Sequence, residues 1–245
     1  MFTCCSHPPC RPAPLLLLAG SVIDLVALDM AGTTIDDHGS VYVALAESVE
    51  ETGATVAEAD LQHWMGTDKV AAITALMRLG GEEPTDERVA VAFDRFRAIL
   101  AASYQSTPPV ALPGVVSALE QLRDRGILVA LTTGFDDAVA TPLLESLGWQ
   151  VGGLLDAVVT TSDVPAGRPA PYLIHRAMEK TGVIDVRRVL AAGDTIVDLQ
   201  AAHNAGVIGV GVLTGALSRQ QLEPHPHHHI LSSVADLPML DETRA

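Results

Sequence analysis

Cysteine is nearly missing from this chain. Of its 245 residues only Cys4, Cys5 and Cys10 are cysteines, and all fall within the first ten positions. No disulfide framework can hold the rest of the fold, which fits a reducing compartment. The cluster and His7 supply zinc-ligand residue types. Their spacing matches no four-ligand pattern, and Pro8, Pro9, Pro12 and Pro14 surround them. Long apolar runs are missing too. None reaches the ~18 residues of a membrane span. The leucine run 15–18 is too short for a signal-peptide core, has only Arg11 before it, and no convincing cleavage site follows. Residues 1–18 read as a disordered leader whose removal leaves activity intact, and the protein is expected to be cytoplasmic, with no membrane partner.

Basic residues are scarce. Lys and Arg total 15 against 30 Asp and Glu, a formal charge of −15. Such a surface repels a polyphosphate and has few cations to displace counterions, so a nucleic-acid partner is excluded. A small anionic substrate is not, because a bound cation can invert the local charge. Aromatics make up only 4%, yet 48% of residues are hydrophobic. That is too apolar for disorder, and the length suffices for a sizeable core.

The hydropathy pattern divides the chain. A short Val- and Leu-rich run over 21–28 predicts a buried strand ending at Asp29. A helical region follows over 40–105. Its clearest helix starts near Thr85, with Asp86 and Glu87 in the first turn, and Val89, Phe93, Phe96, Leu100 and Tyr104 on one apolar face. That face suits a core, or else a cap-to-cap homodimer contact. After Pro108-Pro109, helix and strand alternate. Strands are predicted over 127–131, 157–159, 189–192 and 208–213, and helices over 113–125, 136–147, 171–181 and 196–205. This pattern predicts an α/β fold, a Rossmann-like parallel sheet with an inserted all-helical cap. Residues 19–38 and 108–245 form the core and 39–107 the cap.

Ligands of a parallel sheet bind beyond the carboxyl ends of its strands. Four polar clusters follow predicted strands: Asp29 with Thr33, Thr133 with Gly134, Gly167-Arg168, and Asp194 with Asp198. They should share one rim. Asp29 and Asp194 can offer oxygens to Mg²⁺, and Asp198, one helical turn past Asp194, can orient a neighbour. Arg168 and Thr133 can bind phosphoryl oxygens. Asp29 can then attack phosphorus.

Asp29-x-Ala31-Gly32-Thr33-Thr34, the Thr133 strand end, the segment 164–169 around Arg168, and Gly193-Asp194-Thr195-x-x-Asp198 together resemble the haloacid dehalogenase superfamily, and within it the phosphonatases. The likeness covers about 22–215. It implies Mg²⁺ as cofactor, held by Asp29, the Ala31 carbonyl, Asp194 and Asp198, and an aspartyl-phosphate on Asp29. Most phosphatases of the superfamily have an acid at position 31 to protonate a leaving oxygen, which Ala31 cannot do. A substrate whose leaving atom is carbon needs an electron sink instead. Met65-Gly66-Thr67-Asp68-Lys69 resembles the phosphonatase segment that carries the imine-forming lysine, with Lys69 in that place. Ala72 and Phe135 depart from the family's histidine and tyrosine. The resemblance implies contacts to a small phosphonate or phosphate from Gly32, Thr33, Met65, Gly66, Gly134 and Phe135. The expected activity is phosphonate hydrolysis through Asp29 and Lys69. The alternatives are a phosphate-ester phosphatase without imine chemistry and a non-catalytic phosphoryl-binding protein. The histidines 225 and 227–229 are expected in a solvated loop able to take a transition metal adventitiously.

Overall fold

A computed structural model describes residues 23–244; the cysteine cluster and the leucine run lie outside the described residues. β1 (Leu25–Asp29) is buried at all five positions, as its unbroken apolar run requires of a central parallel strand. It pairs in parallel with β4 (Leu128–Thr132) on one side and β6 (Val189–Gly193) on the other. β5 (Ala157–Val159) lies outside β4; β7 (Ile208–Val212) and β8 (His229–Leu231) lie outside β6. The order β5-β4-β1-β6-β7-β8 is parallel throughout.

The crossover helices are α5 (Val115–Asp124), α6 (Asp137–Ser146), α7 (Tyr172–Thr181) and α8 (Ile196–Ala205), with a short α9 (Arg219–Leu222) before β8. Each apolar stripe faces the sheet: Val115, Ala118, Leu119 and Leu122 are buried on α5, and Leu173, Ile174, Ala177 and Met178 on α7. β4, β5, β6 and β7 lie within one residue of the four strands expected after Pro108-Pro109. β8 was not predicted. His229 belongs to it rather than to a solvated loop, and its Nε2 bonds the Glu242 carboxylate at 2.9 Å.

Four helices are inserted after β1: α1 (Ser40–Glu50), α2 (Glu58–Trp64), α3 (Lys69–Leu79) and α4 (Asp86–Ser106). Two short strands, β2 (Ile35–Asp36) and β3 (Val110–Ala111), pair antiparallel and tie together the two chain segments that enter and leave this cap. Thr85 caps α4 by accepting from the Arg88 N–H. On α4, Val89, Ala92, Phe96 and Leu100 are buried, with Phe93 stacked on Phe96 at 6.2 Å. Burial of one such side chain contributes about 1.5–3 kcal/mol. This face packs against α1 and α3 within the chain. Cap and sheet share one apolar cluster, in which Leu45 and Phe96 join Val26 and Leu131. No helix among the described residues is long and apolar enough to cross a membrane.

Candidate active site

The carboxyl ends of β1, β4 and β6 open into a cavity of about 440 Å³ whose opposite wall is the cap. Asp29, Ala31, Gly32, Thr133, Gly134, Arg168 and Asp194 line it from the core, and Met65, Gly66, Lys69, Tyr42 and Gln62 from the cap. Phe135 lines it between them. Three of the four predicted polar clusters thus sit at strand ends. The fourth, Arg168, arrives differently: a short 3₁₀ turn, Thr161–Asp163, separates it from β5.

Asp29 is the last residue of β1 and Asp194 follows β6, so adjacent parallel strands deliver the two carboxylates side by side. Asp198 joins them from the first turn of α8. Oxygens of all three lie within 4.8 Å of one another, and all three residues are buried. Burial foremost, offset by the Arg168 charge and reinforced by Asp198, pushes the Asp29 carboxyl up to about 6. Burial, then Asp29 and Asp198, push Asp194 well above its usual range. Clustered, dry carboxylates raise each other in this way unless positive charge compensates them, so the donor set fits a hard divalent cation. Asp198 already uses both oxygens: Oδ1 pairs with Arg168 Nε at 2.9 Å, and Oδ2 accepts from the Thr195 N–H and hydroxyl in a capping box. Asp29 and Asp194 are partnered as well, by Arg168 and by Thr33, so all three carboxylates offer oxygens to one point while already held in place by neighbours. Ala31 lines the same cavity.

Arg168, expected on phosphoryl oxygens, instead spends its nitrogens inside the protein. Nη1 pairs with Asp29 Oδ1 at 2.7 Å, Nη2 donates to the Thr132 carbonyl and hydroxyl at 2.9 Å, and Nη1 also reaches the Gly66 carbonyl of the cap at 3.3 Å. A buried cation among buried carboxylates is held by them. To bind an anion it must give up one of these partners. Thr133 Oγ1 accepts from the Phe135 N–H at 3.1 Å, which leaves its hydroxyl hydrogen to donate toward the cavity. Asp136, not Thr133, caps α6. Thr33, expected to touch substrate, is fully buried, and its hydroxyl donates to Asp194 Oδ1 at 2.8 Å. It positions that carboxylate.

Lys69 is the first residue of α3 and only 4% exposed, not a solvated cap lysine. Its Nζ donates to the Thr67 carbonyl at 3.2 Å and sits 5.7 Å from the centre of the Phe135 ring. Burial, opposed by Asp29 and aided by Arg168, brings the amine down to about 8. Asp68 turns away to cap α3 through the Ala71 N–H. Trp64 packs on the apolar cluster, while Met65 is buried at the cavity wall.

Two glycines permit the close approach of cap and core. A Cβ on Gly66, at φ +79°, would lie 2.5 Å from Thr195 Oγ1, and one on Gly134 would lie 2.5 Å from the Thr67 carbonyl oxygen. The loop after β7 reaches the site without any motif in the sequence. Thr214 donates to the Gly32 carbonyl at 2.6 Å, and Gly215 leaves room for Asp194. Applying the strand-end rule to β7 as well would have found it. The late histidines form no metal site: His228 Nδ1 accepts from the Gly209 N–H and His227 bonds the His225 carbonyl. Among the described residues the acidic trio is the one cluster spaced for a metal.

A family model described as haloacid dehalogenase-like hydrolase matches residues 23–206. Phosphonoacetaldehyde hydrolase of Bacillus cereus is 30% identical over 219 residues, covering 82% of this chain and 81% of that protein. A hydrolase of Pseudomonas syringae superposes with a TM-score of 0.81 at 25% identity, over 91% of this chain and all of that one. A phosphonoacetaldehyde hydrolase like protein of Oleispira antarctica gives 0.79 at 25% identity, over 96% and 97%. The parallel sheet, the inserted helical cap and the buried acidic cluster at the strand ends carry the same conclusion as these likenesses: the chain belongs to the haloacid dehalogenase-like hydrolases.

Proposed function

We propose that this hydrolase cleaves the phosphorus–carbon bond of a small phosphonate, phosphonoacetaldehyde or a related compound, with Asp29 as nucleophile and Lys69 as imine-forming residue. The observation that carries this reading is a buried lysine with its amine down at about 8, lining the same cavity as Asp29. At pH 7 roughly a tenth of such an amine is neutral and able to attack a carbonyl.

The neutral amine adds to the substrate carbonyl carbon, and the carbonyl oxygen leaves as water. Asp29 then attacks phosphorus, and the electrons of the breaking P–C bond flow into the iminium to give an enamine on Lys69. Protonation and hydrolysis of the enamine free the carbon fragment, and water cleaves the aspartyl-phosphate. No acid at position 31 is required, because no alkoxide leaves. Mg²⁺ on Asp29 and Asp194 would supply positive charge opposite the phosphoryl oxygens. Thr133 donates to those oxygens, and Arg168 holds Asp29 in line.

Two observations favour a second reading. Lys69 Nζ is engaged by the Thr67 carbonyl, and Ala72 and Phe135 offer no proton-transfer group beside it. The chain would then be a phosphatase of small phosphate esters. A phosphate-release screen of phosphonates and esters with Mg²⁺ separates the two. The imine reading expects release from a carbonyl-bearing phosphonate that is lost in both Lys69→Ala and Asp29→Asn. Ester turnover that survives Lys69→Ala overturns it.

A further inference from the structure

The cap wall of the cavity carries a polar pair outside every predicted motif. Tyr42 on α1 and Gln62 on α2 both line the cavity, and the phenol O–H donates to Gln62 Oε1 at 2.9 Å. That bond fixes which way the amide faces. Gln62 Nε2 is left fully buried with no partner, one of only three such side-chain atoms among the described residues. Buried polar groups are ordinarily satisfied, so an orphan donor at a cavity wall points to a ligand atom that completes it. The Tyr42 phenol is pushed up to about 12, by burial first and also by Asp194 and Asp37, so it stays protonated and keeps its hold on Oε1. The reach of the Asp194 charge also puts the pair within the field of the acidic centre.

The same wall excludes one kind of partner. Asp36, Asp37 and Glu58 line the cavity beside the pair. Asp36 accepts from the His38 N–H and lies 3.5 Å from its Nδ1, and Asp37 accepts from the Gly39 and Val41 N–H groups while its charge reaches Lys69, so three carboxylates on this wall face one lysine. A second anionic group on the substrate would be repelled there. A neutral oxygen would not.

We propose that Gln62, oriented by Tyr42, is a specificity-determining residue that donates its Nε2 hydrogen to a neutral oxygen, a hydroxyl or carbonyl, on the organic part of the phosphoryl substrate. This rests on the hydrolase reading above and narrows its substrate class. The carbon fragment carries an uncharged oxygen, and its carboxylate and deoxy counterparts are discriminated against.

Dissociation constants are the test. Matched phosphonates of equal chain length, one bearing a terminal hydroxyl, one a methyl and one a carboxylate, are titrated with Mg²⁺ into Asp29→Asn, which cannot form the phosphoenzyme. The hydroxyl compound is expected to bind about 10- to 100-fold tighter than either counterpart. Adding Gln62→Met should collapse the hydroxyl-to-methyl ratio toward one. Adding Tyr42→Phe, which keeps the ring but frees the amide, should reduce it partway. Thermal unfolding of each variant checks that the fold is retained. Equal binding of the hydroxyl and methyl compounds, tighter binding of the carboxylate, no binding of any of the three, or a preference that survives Gln62→Met overturns the proposal. Absence of phosphate release by the wild type, with the binding preference intact, would instead overturn the hydrolase chemistry alone.

Discussion

At the scale of single residues, burial decides the chemistry. Lys69 and Asp29 share a cavity, and burial moves each toward its neutral form, the amine down to about 8 and the carboxyl up to about 6. For the amine the direction has a kinetic consequence. Its neutral, nucleophilic fraction grows as pH rises through about 8, so kcat/KM for a carbonyl-bearing phosphonate is expected to climb with one ascending limb near that pH. Lys69→Arg keeps the charge but not the nucleophile, and should cost roughly 10²–10⁴-fold in turnover with that limb lost. A pH–rate profile of both proteins checks this. Much of the site was legible because Asp29, Arg168, Asp194 and Lys69 carry chemistry in their side chains at motif spacing. Gly215 was not, because its contribution is a missing Cβ. Tyr42 and Gln62 were not, because they sit on different helices with no motif between them.

At the scale of elements, a few strand ends and one helix start position everything. Asp68 caps α3 and so fixes the turn from which Lys69 projects. Asp68→Ala should cost about 1 kcal/mol of stability and lower turnover more than that loss explains, readable from denaturant unfolding beside steady-state kinetics. Gly134→Ala drives a methyl into the Thr67 carbonyl and should push the segment bearing Lys69 off the core. Its expected signature is a fall in activity with the unfolding midpoint shifted by only a few degrees. The crossover elements were legible because each long apolar stripe or buried run ends at a Gly or cap residue. β8 escaped because it is three residues long behind a His- and Pro-rich loop, and β2 with β3 because two-residue strands carry no periodicity.

At the scale of the whole molecule, the active site weighs against stability. Asp29 has a folded pKa of about 6, above its unfolded value, so in the metal-free protein the cost of its charge is present above pH 6 and is relieved as pH falls toward 4. Asp194 is shifted the same way, and the buried cation ion-pairs with Asp29 and Asp198 rather than with it. Asp194→Asn is therefore expected to stabilise the metal-free protein by about 1–2 kcal/mol. Saturating Mg²⁺ should raise the Tm of the wild type and leave that of Asp194→Asn nearly unmoved. Calorimetry with Mg²⁺ and with EDTA measures both. The net charge of −15 fits a surface that repels polyanions, and in the cavity Arg168 and Lys69 stand among the carboxylates of Asp29, Asp36, Asp37, Glu58 and Asp194, so a bound cation would be needed to make it attractive to a phosphoryl group.

Imine formation at Lys69 is the step that separates phosphonate cleavage from ester hydrolysis in this cavity. Borohydride added during turnover of phosphonoacetaldehyde, followed by peptide mass spectrometry, tests it directly. The expected result is a reduced adduct on Lys69, formed faster as pH rises through about 8 and absent from Lys69→Ala. Phosphate release with no adduct on Lys69, or an adduct confined to Lys180, would contradict it.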